Sequence, residues 1–150
     1  MRLPVIASAF LLVVLAGAAT GCSQAPIAHS CSATDRQFLT IAEMNMTALG
    51  SWSNDYVHGE ADAGDVISET RAARTRVRQT APQDPTLRQT QHLIDAMLLE
   101  YSRAIQAQSR HRDAGRYMLR AYGLANFAHD MLAQAQPNLR AHGCDVSSLL

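Results

Sequence analysis

Apolar residues recur at three- and four-residue spacing in four stretches of this chain, and no stretch shows the strict alternation of a strand. The first stretch covers about residues 34–58, where Phe38, Ile41, Ala42, Met44, Met46, Leu49, Trp52 and Tyr56 fall on one side of a helix. Thr34-Asp35-Arg36-Gln37 fits a capping box at its start. A polar turn over residues 59–65 follows, with Asp65 as the expected cap of a second helix over about 66–80. That helix has the thinnest apolar side, made of Val66, Ile67, Thr70, Ala73 and Val77. Ala81-Pro82-Gln83-Asp84-Pro85 stops it and starts a third helix, with Asp84 as cap and Pro85 at the first helical position, where a missing N–H costs nothing. Leu87, Gln91, Ile94, Leu98, Tyr101 and Ile105 form its stripe. A fourth helix is expected over about 116–136, where Tyr117, Met118, Ala121, Tyr122, Leu124, Ala125, Phe127, Ala128, Met131 and Leu132 supply the apolar side and Pro137 ends the helix.

Four helices with short connections predict an all-α fold, an antiparallel four-helix bundle in up-down-up-down order. An even number of antiparallel helices returns the chain to the end at which it started. Both termini and the turn at 82–85 then share one end, and the turns at 59–65 and 113–115 share the other. Residues 34–150 are long enough for one core and too short for two domains.

Ahead of the helices, Arg2 and the apolar run over residues 5–16 have the layout of an export signal. Spanning a membrane takes about 20 apolar residues, whereas this run fades into Gly17, Thr20 and Gly21. Ala19-Thr20-Gly21-Cys22 directly behind it resembles the lipobox of bacterial lipoprotein precursors. The resemblance implies cleavage before Cys22 and a diacylglycerol on its sulfur. Residues 1–21 are then a removed signal peptide and 22–33 a short lipid-anchored tether. The expected location is the extracytoplasmic side of a cell membrane.

With Cys22 assigned to lipid, Cys31 and Cys144 are the remaining cysteines. In an oxidising compartment they form a disulfide; the alternative is two free thiols. The up-down topology favours the bond, because it brings residues 31 and 144 to the same end.

The full sequence carries 13 basic and 13 acidic residues, so no global field favours nucleic acid. All the basic residues are arginine. Local clusters remain. Asp55, His58, His111 and Asp113 gather at the end away from the termini, and imidazole with carboxylate suits a divalent transition metal. The same residues also serve as helix caps and C-terminal cations. Met44, Met46 and His129 suggest haem ligation, against the commoner use of methionine as core filler. Arg71, Arg74 and Arg78 make a basic strip on the second helix, suited to anionic lipid or an acidic envelope polymer, or simply a solvated face.

No Gly-x-Ser-x-Gly, His-Glu-x-x-His or phosphate-cradling loop occurs. The expected protein is therefore a membrane-tethered envelope lipoprotein acting as a non-catalytic binding or interaction module, without a cofactor. Its partner is an envelope protein or an acidic polymer. An envelope metal- or haem-binding bundle and a small envelope enzyme are the alternatives. The oligomeric state is not legible.

Overall fold

The computed structural model describes residues 30–150; the expected signal peptide, Cys22 and the expected tether up to residue 29 lie outside the described residues. Four helices run up and down, α1 (Ala33–His58), α2 (Ala63–Gln79), α3 (Pro85–Ser109) and α4 (Gly115–Ala141), followed by a 3-10 turn at Ser147–Leu149. They form the antiparallel bundle that the periodicity predicts. Among the described residues no helix is long and apolar enough to cross a membrane.

Two helix starts differ from expectation for the same reason. The cap of α1 is Ser32, not Thr34: the Asp35 N–H donates to Ser32 Oγ at 3.0 Å and the Ser32 N–H donates to Asp35 Oδ2 at 3.1 Å. In α2 the cap is Asp62, and Asp65 is the returning carboxylate of the box rather than the cap. A capping box pairs two polar side chains three residues apart, and the first of the two marks the helix start. Cys31 and Ser32 thus belong to the fold and not to the tether. Asp84 caps α3 as expected, accepting the N–H groups of Thr86 and Leu87.

Pro137 does not end α4, which continues to Ala141. A proline removes one backbone hydrogen bond, but the turn beyond it buries Leu139 and leads into the disulfide. Gly143, at φ 83°, then lets the chain double back, with the Cys144 N–H donating to the Leu139 carbonyl at 2.8 Å. Tertiary attachment outweighs the local cost.

The core is built on α3, whose Leu87, Ile94, Leu98 and Ile105 are buried together with Phe38, Val66 and Val77. Gln91 sits in the α3 stripe because its amide donates to the carbonyls of Val77 and Thr80, closing the end of α2. Buried Asn45 joins α1 to α2: its Nδ2 donates to the Ile41 carbonyl and its Oδ1 accepts from Arg76 Nε at 2.8 Å.

One side of the bundle is open. No Cα of α1 lies within 8 Å of a Cα of α4. The C-terminal tail occupies part of this gap, with the turn at Ser147–Leu149 touching both helices, Val146 buried to 1% exposure and the Leu150 carbonyl 3.2 Å from His129 Nε2. Helix α4 packs on α3 through Ala121, Ala128, Leu132 and Leu139. Its other apolar flank has no helix over it. Tyr122 (68% exposed), on the flank shared with Met118 and His129, therefore lies on the surface; Phe127 (55%) is exposed too, about 140° further round the helix, and both depart from their expected place in the core.

Candidate functional site

At the end where the described chain begins, Cys31 and Cys144 form a disulfide with a Cα–Cα distance of 5.1 Å. The Cys31 N–H also donates to the His142 carbonyl at 2.7 Å. Asp35 organises this end. Its Oδ1 accepts the N–H groups of Gln83 (2.6 Å) and Asp84 (3.0 Å), and its Oδ2 accepts from Ser32 N and Oγ. Burial pushes the Asp35 carboxyl up, but hydrogen bonds from the Ser32 hydroxyl and the N–H groups of Asp84, Ser32 and Gln83 outweigh it and hold the group below the usual carboxylate value. A cavity of about 590 Å³ lies beside these residues and is bordered by Ser30, the first described residue.

The opposite end carries a second cavity of about 590 Å³, in the gap between α1 and α4. Ser53, Tyr56 and Val57 of α1 form one wall, Tyr101 and Ile105 of α3 the floor, and Met118 of α4 the other wall. Ser53 Oγ donates to the Leu49 carbonyl at 2.6 Å, so its contact with Tyr101 Oη at 2.6 Å has the phenol as donor. Both polar groups are thereby satisfied within the wall, and the remaining surface is largely apolar. The space is an open groove rather than an enclosed pocket, with Val57 79% exposed at its rim.

The residues expected to hold a metal do not assemble. Among the described residues, Cys31, Asp35 and Cys144 are the only group of three or more His, Cys, Asp or Glu residues whose ligand atoms lie within 4.8 Å of one another. Their sulfurs are joined in the disulfide. Asp55, His58, His111 and Asp113 form no such group. His58 Nδ1 is bonded to the Asn54 carbonyl at 2.8 Å, and Asp113 Oδ1 accepts the Gly115 N–H at 2.8 Å. Met44 is 65% exposed, and His129 contacts Asp130 and the Leu150 carbonyl, so these two do not face each other across a core pocket.

The basic strip of α2 is partly neutralised. Arg74 makes a two-pronged contact with Asp95 of α3, Nε–Oδ1 at 3.0 Å and Nη2–Oδ2 at 3.4 Å, leaving Arg71 and Arg78 exposed on either side. Cys22 lies outside the described residues. The sequence placed Tyr56, Tyr101, Ile105 and Met118 on helix stripes but gave no sign that they border an opening, because the spacing between helices is not written in any one stripe.

No family model matches the chain, and no curated protein or solved structure matches it.

Proposed function

We propose that this protein is an exported lipoprotein whose helical domain is a non-catalytic binding module, taking an apolar ligand in the groove between α1 and α4. The open groove is the observation that carries the reading: Tyr56, Val57, Tyr101, Ile105 and Met118 border a cavity of about 590 Å³. Apolar side chains around a gap of this size favour a ligand that removes them from water. The lipobox-like Ala19-Thr20-Gly21-Cys22 supports the tether. With the chain anchored ahead of residue 30, the disulfide end faces the membrane and the groove lies at the other end of helices roughly 40 Å long at 1.5 Å per residue.

Titration of the purified protein with N-phenyl-1-naphthylamine, a neutral apolar fluorophore, tests the groove. Saturable binding at one site is expected, weakened about tenfold or more in Met118→Glu, in which a carboxylate enters the apolar wall. Absence of saturable binding, or equal binding by the folded variant, would remove the groove from the reading.

A further inference from the structure

The α3–α4 corner gathers four arginines. Arg103 of α3, Arg110 at its C-cap, Arg112 of the turn and Arg116 of α4, all exposed, border one open hollow of about 270 Å³ together with Gln106 and Tyr117. The backbone explains the convergence. His111, at φ 53°, donates its N–H to the Gln108 carbonyl, and the Arg112 N–H reaches back to the Ala107 carbonyl, each at 2.9 Å. This pair of bonds folds Arg112 across the last turn of α3. Helix α4 follows almost at once, and its first N–H, that of Gly115, is held by the Asp113 carboxylate at 2.8 Å, so the arginines rather than the helix end supply the free donors of this corner.

The charges there are largely uncompensated. Arg103 is paired with Glu100, but among the described residues Arg110, Arg112 and Arg116 have no carboxylate oxygen within 4.0 Å. Asp113 is the one carboxylate on the cavity wall, and its Oδ1 is taken by the Gly115 N–H. Tyr117 orients Arg116: the guanidinium carbon lies 4.5 Å from the ring centroid and Nη2 donates to the phenol oxygen at 2.6 Å. The strip on α2 differs, because there Arg74 is already bound to Asp95.

We propose that this corner is a binding site for a phosphate-type oxyanion. Several planar guanidinium forks suit a tetrahedral group with many acceptor oxygens and more than one negative charge, enough to outweigh the single Asp113 carboxylate. A single carboxylate would leave most of these donors unused. The site is separate from the apolar groove and does not depend on it. The corner lies at the end of the bundle away from the disulfide, so the oxyanion comes from a soluble phosphate ester or from a lipid head group of an apposed membrane.

Titration of the purified protein with inorganic pyrophosphate, followed by amide NMR shifts, tests the assignment. Saturable shifts confined to residues 103–117 are expected. Binding should weaken about tenfold or more in Arg112→Gln/Arg116→Gln and stay unchanged in Arg71→Gln/Arg78→Gln, with circular dichroism verifying both folds. Arg116→Lys, which keeps the charge, should retain part of the affinity. Sedimentation with phosphatidylglycerol and phosphatidylcholine vesicles separates the sources: anionic-vesicle binding lost in Arg112→Gln/Arg116→Gln identifies a head group, and pyrophosphate binding without vesicle binding identifies a soluble ester. Binding of neither probe, non-saturating shifts, or equal loss in Arg71→Gln/Arg78→Gln overturns the proposal.

Discussion

The Asp35 carboxylate accepts the backbone N–H of Gln83 at 2.6 Å across 48 residues of sequence. One side chain therefore does two jobs. Through Oδ2 it closes the capping box of α1, and through Oδ1 it fastens the turn between α2 and α3 beside the disulfide. A short polar residue serves here because each of its two oxygens accepts from backbone N–H groups that no helix ladder satisfies.

Replacing Asp35 with Asn turns one acceptor into a donor facing the donors of Ser32 and is expected to cost about 2 kcal/mol. The pH dependence follows from the depressed carboxyl of the folded state. Its stabilisation is fully present above the unfolded value near 3.8 and is lost as pH falls through the folded value, because the unfolded chain binds the proton first. Denaturant melts between pH 2 and 6 should show a steeper acid loss in the wild type than in Asp35→Asn. Parallel profiles would show that Asp35 is not the linked group.

The disulfide closes a sequence separation of 113 residues. For a loop of that size the chain-entropy model gives about 4–5 kcal/mol. Cys144→Ser should therefore lower the melting temperature under non-reducing conditions, and reductant should destabilise the wild type but not the variant. An unchanged melting point would argue against the bond.

His111 holds a left-handed conformation that a residue with a Cβ adopts at a cost. His111→Gly should raise stability by about 0.5–1 kcal/mol, the relief being partly offset by a freer unfolded chain. His111→Val, which is branched at Cβ, should lower it. Urea midpoints of the two variants on the same side of the wild type would contradict this reading of the turn.

Val146 anchors the C-terminal tail in the gap between α1 and α4. Val146→Ala is expected to cost about 1.5 kcal/mol at ~0.8 kcal/mol per buried carbon. Deleting residues 145–150 should cost more and increase uptake of the apolar fluorophore by lengthening the groove. Unchanged uptake by a folded, truncated chain would show that the tail does not limit the opening.

Cys22→Ser tests the tether apart from the fold. The variant should move from the membrane to the soluble envelope fraction, while its helical spectrum and melting point match those of the wild type. Retention in the membrane fraction would count against lipid attachment at Cys22.

The local code was legible in the sequence. Side-chain spacing set four helices, and Pro85 and Gly59 marked boundaries through restrictions that act on one or two residues. The even helix count placed Cys31 near Cys144. Features that depend on two segments at once were not legible. Pro137 reads as a helix end by its own chemistry, yet Leu139 and Cys144 hold the next turn in place. Tyr122 reads as part of an apolar helix face, but the separation of α1 from α4 leaves it exposed. Asp35 looks like a capping residue until Gln83 and Asp84 arrive from another turn. Arg116 joins Arg103, Arg110 and Arg112 because the chain reverses between α3 and α4. Periodicity records which face of a helix avoids water; how far apart two helices stand, and which side chains meet at their ends, is decided by packing between them.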